Sequence, residues 1–392
     1  MDKKVNVLVM GNSGSGKSTL IDSIFTEEGV YFDKAAHDFM WTADTKSMKI
    51  YSNENIPFCA IDTRGMEYGF LAQMHTKNAI KKWSKDGVKK GEEEKYIHII
   101  WYCIDATSKR IFDKNLDMLY SVAKMWKNVP IIIVLTKSYS KSEIDDNISE
   151  IGKYLYKYNK KKKINLKDII PVVAKPFPVN NDFIVPSMGL ERLIEKTNSI
   201  IPESVKINEG AIANLNKKIK RSNAKALTVA ATASAAIIGA VPIPVADSIL
   251  LIPLQSGLVM GIGMIYKVNN DEDKFKKVSE VIVQSGLVSV GARTLISGLK
   301  AVLGINIAVE VLNAIVAASI TAILGELTIV ISERIADGEL SSDNLKYIKG
   351  FCEDQVKNKA DKYLGAILKN FDFKDSKSVG KVIGKIFKDL NK

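Results

Sequence analysis

Over the first 200 residues, short runs of β-branched and aliphatic residues alternate with amphipathic or polar stretches. A short apolar run bounded by turn-forming residues reads as a strand buried on both faces. Alternation of such runs with helix-competent stretches reads as an α/β layer with a mostly parallel sheet. The pattern predicts strands at residues 5–10, 48–51, 58–62, 97–104, 131–136 and 169–174, with helices beginning at Lys17, Phe70, Lys114, Ser142 and Gly189. The charged, glycine-containing stretch 85–95 predicts a solvated surface insertion, and Lys160–Lys163 a solvated helix end or loop.

After Pro202 the pattern changes: Ala, Gly, Ile and Val dominate, strand punctuation disappears, and an all-α region follows. The expected division is therefore residues 1–203 and residues 204–392. Two apolar stretches, 224–241 and 245–265, flank Pro242-Ile243-Pro244 and predict a helical hairpin, since the prolines end one helix and pre-set the turn. Asp247 falls in the first turn of the second helix, where an acid suits the helix dipole. Lysines at 217, 218 and 220 precede the hairpin, and others at 267, 274, 276 and 277 follow it. That arrangement suits either a hairpin entering a membrane from its cytoplasmic side or one buried in a soluble bundle. Residues 281–332 are also apolar, but Arg293, Lys300, Glu310 and Glu326 interrupt them, which favours buried helices carrying polar pairs. Gly286, Gly291, Gly298, Gly304 and Gly325 predict close backbone approach or helix breaks. At the end, Val379, Val382, Ile383, Ile386, Phe387 and Leu390 form a stripe opposed by Lys377, Lys381, Lys385, Lys388 and Lys392. This is a basic amphipathic helix that either docks on its own domain or rests on an anionic membrane surface.

Composition narrows the classes. The chain has 392 residues, enough for two domains, and with 46% hydrophobic and 26% charged residues it is globular rather than disordered. A net charge of +12 favours an anionic partner. Nucleic acid is not expected, because no basic ribbon interleaved with aromatic residues is present. The three cysteines lie far apart, with no disulfide framework or zinc spacing, and the apolar run at 5–10 is too short for a signal peptide. A reducing cytoplasm is the expected location.

The chemistry concentrates in one segment. Gly11-Asn12-Ser13-Gly14-Ser15-Gly16-Lys17-Ser18 fits G-x-x-x-x-G-K-S, between an apolar strand and a helix-competent run. The glycines let backbone N–H groups converge on phosphate oxygens, and the helix N-terminus adds positive potential at the same point. Lys17 is expected to bridge the β- and γ-phosphates, Thr19 to lie in the same cradle, and Ser18 to offer its hydroxyl to Mg²⁺. Asp62-Thr63-Arg64-Gly65 closes an apolar strand, which places Asp62 on the metal side and Gly65 beside the γ-phosphate.

A P-loop, D-x-x-G, a T-K-x strand end and a late A-K turn, in this order, resemble the translation-factor-type GTPases, and most closely their Era-like and dynamin-like branch, over residues 1–200. The resemblance implies a P-loop GTPase fold that binds GTP/GDP with Mg²⁺ and hydrolyses GTP as a molecular switch. It implies a switch threonine closing on Mg²⁺, with Thr42 and Thr45 as the two candidates. Thr136, Lys137 and Ser138 would line the base site, and Ala174 with Lys175 would form the turn facing the guanine oxygen. Two departures stand out: Tyr139 occupies the place of the base-reading aspartate, and Met66 that of the water-positioning glutamine. The first opens ATP use as an alternative. The second implies slow hydrolysis assisted by Arg64 or Glu67, or by a homodimer formed through the GTPase domain. A non-hydrolysing module and a membrane-remodelling protein are the rival readings. Pro242-Ile243-Pro244-Val245-Ala246-Asp247, then Gln255, Gly257, Met260 and Tyr266, resemble an uncharacterised helical domain that follows Era-like GTPase domains in bacteria, over residues 210–335. Some relatives carrying that domain are regarded as membrane proteins, so the resemblance implies membrane association as one role.

Overall fold

The computed structural model describes residues 4–25, 48–52, 56–63, 82, 89–90, 96–108, 112–159, 164–180, 182–241, 251–269, 271–287, 297–298, 309–370, 379 and 383. Thr42, Thr45, Arg64, Gly65, Met66, Glu67, the helix from Phe70, Lys160–Lys163, Pro242 to Asp247, Gly291, Arg293, Lys300, Gly304 and most of the C-terminal stripe lie outside the described residues. The chain separates into two compact units, one of Met1–Lys175 with Met188–Ile219, the other of Pro176–Ser187 with Lys220–Lys392.

The first unit is a sheet covered on both faces. Its strands are β1 (Val5–Gly11), β2 (Met48–Ser52), β3 (Phe58–Thr63), β4 (Ile99–Asp105), β5 (Ile131–Thr136) and β6 (Leu166–Val172). They lie in the order β2-β3-β1-β4-β5-β6, with β2 antiparallel to β3 and every other pairing parallel. Alternation along β1 sends Val5, Val7 and Val9 to one face and Leu8 and Met10 to the other. The first face is covered by Leu20, Ile21 and Ile24 of α1 (Lys17–Phe25), by Leu193 and Ile194 of α4 (Leu190–Ile200), and by Ile212, Leu215 and Ile219 of α5 (Glu209–Gly239). The second is covered by Leu116 and Leu119 of α2 (Phe112–Met125) and Ile151 of α3 (Lys141–Asn159).

Register fixes what reaches the carboxyl edge. Val9 pairs with Asp62, Gly11 with Cys103, and Asp105 with Thr136, which in turn pairs with Val172. The glycine-rich loop, Asp62, Asp105 and Thr136 therefore emerge along one side of the sheet, where ligands of open α/β sheets bind. The pattern placed β6 late, by three residues at its start and two at its end. Val173 leaves the sheet and instead exchanges two 3.0 Å backbone hydrogen bonds with Met188, so pairing to β5 ends at Val172.

The second unit is predominantly helical. It contains α5 from Lys220 onward, then α6 (Ile252–Tyr266), α7 (Glu272–Leu287), α8 (Val309–Ala336) and α9 (Leu345–Asn370). A two-stranded hairpin, β7 (Phe177–Pro178) with β8 (Ile184–Val185), joins this unit, and Ile184 packs with Ala224, Leu227, Leu258 and Ile262. Small residues let the helices close. A Cβ at Gly325 would lie 2.3 Å from Thr228 Cγ2, one at Gly261 2.8 Å from Leu227, and one at Gly263 2.2 Å from the Phe275 ring. Helix α8 is long and apolar enough to cross a membrane, but most of its length is buried among the other helices, so it is the core helix of this unit. Glu326 on α8 pairs with Lys359 on α9, a polar pair between buried helices. Val379 and Ile383, two residues of the C-terminal stripe, are buried in the same core.

Candidate nucleotide-binding site

The loop between β1 and α1 is shaped by glycine. Gly14 and Gly16 have φ of 79° and 77°, in the left-handed region where a side chain is strained. Gly11 has φ of 146°, and a Cβ there would meet Cys103 O at 2.4 Å. The chain then turns into α1, with Ser15 N donating to Asn12 O (3.2 Å) and Leu20 N to Gly16 O (2.9 Å). Lys17, the first residue of α1, is buried and folds back over the loop, donating to Gly11 O at 3.0 Å and Asn12 O at 2.8 Å.

Burial pushes the Lys17 ammonium below its ordinary pKa, against opposing contributions from Cys103 and Asp62. The same site pushes the Cys103 thiol up to about 12, chiefly through burial, which leaves it a neutral neighbour of Lys17. Asp62 is buried one residue before the end of β3, and Thr63 Oγ1, buried too, ties β3 to β1 by donating to Val9 O at 3.1 Å. Ser13, Gly14, Ser18 and Thr19 are exposed at the mouth of the loop. Ser15 Oγ is buried with no hydrogen-bond partner among the described residues. A buried ammonium, helix-terminal N–H groups, an exposed Ser18 hydroxyl and a buried carboxylate form a donor set that fits a polyphosphate with a hard divalent cation.

The loop is braced by the adjacent strand ends. The Thr136 hydroxyl lies 2.8 Å from Ser15 O and 3.1 Å from Ile104 O. Beyond it Lys137 adopts a left-handed φ of 55° and sends Nζ to Asp105 Oδ2 at 2.6 Å. Asp105 Oδ1 accepts from Thr107 N (2.9 Å) and Thr107 Oγ1 (2.7 Å). Partial burial raises the Asp105 carboxyl pKa, but hydrogen bonds from Lys137 and Thr107 outweigh it and hold the group below its usual value. Ser138 is buried, its hydroxyl donating to Leu135 O at 2.8 Å and its N–H to Val172 O at 3.3 Å. Ala174 and Lys175 follow β6, and Lys175 reaches Asp22 of α1 at 3.8 Å.

The structure thus gathers residues 11–19, Asp62, Thr136, Lys137, Ser138, Ala174 and Lys175 along the carboxyl side of one sheet. Thr42, Arg64 and Gly65 lie outside the described residues. Asp105 was not singled out by the sequence. Its signal was the acid ending the apolar run Ile99–Asp105, beside the Thr136-Lys137 strand end.

Residues 6–137 match the family model described as "50S ribosome-binding GTPase", and residues 203–360 match the model described as "Domain of unknown function (DUF697)". No curated protein matches the chain. Among solved structures, a probable GTP-binding protein engB is similar at 16% identity and TM-score 0.33, over 50% of this chain and 98% of that one. Era from Aquifex aeolicus bound to GDP and aluminium fluoride is similar at 19% identity and TM-score 0.31, over 57% of this chain and 68% of that one. Era in complex with MgGDPNP and a segment of 16S ribosomal RNA is similar at 18% identity and TM-score 0.30, over 58% and 68%. The chain thus carries an N-terminal GTP-binding GTPase domain, matched by the first model, followed by a C-terminal helical region matched by the second.

Proposed function

We propose that this protein hydrolyses GTP slowly, with Mg²⁺, and acts as a molecular switch whose nucleotide state is relayed to its helical domain. The observation that carries the reading is Lys17, whose buried ammonium is held by two loop carbonyls where a phosphate chain would replace them. Ser18 and Asp62 would hold Mg²⁺, which when bound offsets charge on the β- and γ-phosphates. Gly11 to Thr19 bind and orient the phosphates through backbone N–H groups, and Thr136 keeps the loop in register through Ser15. Thr42, Arg64 and Gly65 are assigned to the switch segments. Met66 cannot orient a water, so the intrinsic rate is low and rises on self-association through the GTPase domain.

Calorimetry with GTP and GDP on the full chain, with Lys17→Ala as control, tests binding. Single-turnover hydrolysis across protein concentrations tests the rest. Tight binding lost in the variant and a rate that climbs with concentration are expected, whereas a GTP complex that never turns over would favour a binding module.

A second reading, membrane contact from the cytoplasmic side, is favoured by a specific feature of the helical unit. Ile237 near the end of α5, Val241 just beyond it, Ile252 at the start of α6 and Val309 at the start of α8 are exposed. Helix α8 is a core helix, so contact would fall to these helix ends rather than to a span. Sedimentation with anionic and neutral vesicles checks it, and no binding in either nucleotide state would remove it. The charge of +12 is assigned to nucleotide and an anionic surface rather than to nucleic acid. Binding of ribosomal RNA at physiological salt would overturn that assignment.

A further inference from the structure

The strand-end residues beside the phosphate loop bear on which base is accepted. Guanine presents two donors side by side, N1–H and the N2 amino group, and a single carboxylate satisfies both. Adenine presents an acceptor at N1 and a donor at N6, so the same carboxylate rejects it. Hypoxanthine keeps N1–H and lacks the N2 amino group, which isolates the contribution of that one group.

In the turn after β5, Lys137 is fixed by its left-handed backbone and by Asp105, and the Ser138 hydroxyl is spent on Leu135 O. Tyr139 follows, with its N–H donating to Lys137 O at 2.9 Å. Its phenol is half-buried and lies within electrostatic range of Lys137 and Asp105. Burial, the largest influence, raises its pKa, so Tyr139 is a neutral phenol at physiological pH. Asp105 is the carboxylate bonded to Lys137, and both of its oxygens are engaged: Oδ2 takes Lys137 while Oδ1 takes the Thr107 N–H and hydroxyl. An acid engaged in this way positions Lys137, whose stem can lie along a purine plane.

We infer that the site binds purine nucleoside triphosphates through their phosphates and base plane with little discrimination at the base edge, because Tyr139 stands where an anionic acceptor would read guanine. This rests on the nucleotide-binding reading above. GTP is a ligand of such a site without being selected over its analogues. A phenol offers one hydroxyl that either donates or accepts, so it meets guanine, hypoxanthine and adenine about equally well.

The test is competition of GTP, ITP and ATP for the full chain, alongside Tyr139→Asp. In the native protein the three dissociation constants should fall within about tenfold of one another, against the 10⁴–10⁵ rejection typical of a site built to bond a substrate's polar group. Tyr139→Asp should raise the ITP-to-GTP ratio of dissociation constants by about tenfold or more, a gain that a merely structural role for Tyr139 would not produce. A native preference for GTP over ITP or ATP beyond about tenfold would overturn this inference alone, as would an unchanged ratio in the variant. Failure of all three nucleotides to bind would overturn the nucleotide-binding reading and this inference with it.

Discussion

Lys17 carries the most consequential charge in the GTPase domain, and its environment makes a pH prediction. Without nucleotide, burial depresses its pKa below the ordinary 10.5, so the ammonium is lost at a lower pH than in the unfolded chain. The cost that the buried charge imposes on folding is therefore present at low pH and fades as pH rises through the depressed value. A triphosphate favours the ammonium and raises the pKa again, so between the free and bound values binding takes up a proton. GTP affinity should fall with rising pH in the alkaline range below 10.5, approaching about tenfold per pH unit. Titration calorimetry in buffers of different ionisation enthalpy would detect the proton, and an affinity flat across that range would mean Lys17 does not meet phosphate. Much of this site was legible because the phosphate loop is local in sequence: Gly11, Gly14 and Gly16 are needed for backbone geometry, and Lys17 follows directly. Asp105 was not legible because its role depends on Lys137, 32 residues away, and on a strand register that only the folded sheet sets.

At the scale of elements, the strands were readable since burial on both faces leaves nearly continuous apolar runs, as in Val5–Gly11 and Ile131–Thr136. The hairpin β7–β8 escaped because each strand is two residues long, below the reach of any period. Helix α8 carries no amphipathic stripe, so periodicity alone does not separate a core helix from a membrane span; the charges at Glu310 and Glu326 are what favour the buried reading in the sequence. Its burial identifies the core helix. Packing of α6 against α7 gives a prediction at this scale. A Cβ at Gly263 would lie 2.2 Å from Phe275 Cε1, and that ring is fully buried. Gly263→Ala gains about 1 kcal/mol of helix propensity. Overpacking against a ring that cannot leave the core costs about 1–3 kcal/mol, so a net lowering of stability is expected. Phe275→Leu alone should also destabilise, while the double variant should recover part of the sum. Chemical denaturation of all four proteins measures the coupling, and strict additivity would show that the two side chains do not meet.

At the scale of the whole molecule, the sequence shows two regions of different composition, and the structure has two compact units, with α5 contributing its first residues to one and its later residues to the other. A relay between them is a statement about free energy. If GTP and GDP favour different states of the helical domain, that domain must alter the ratio of their affinities by the same factor, because linkage is reciprocal. A ligand that stabilises only its own unit, even by about 2.7 kcal/mol at a hundredfold excess over Kd, relays nothing. Two measurements follow. Amide exchange compared between the GDP complex and that of a non-hydrolysable GTP analogue should differ within the second unit, residues 176–187 and 220–392, and not only within the first. A substitution confined to the helical unit, Gly263→Ala, should change the ratio of GTP to GDP dissociation constants though it touches no residue of the phosphate loop. Exchange differences restricted to the first unit, together with an unchanged affinity ratio in Gly263→Ala, would leave a GTPase and a helical domain that share a chain without sharing a switch.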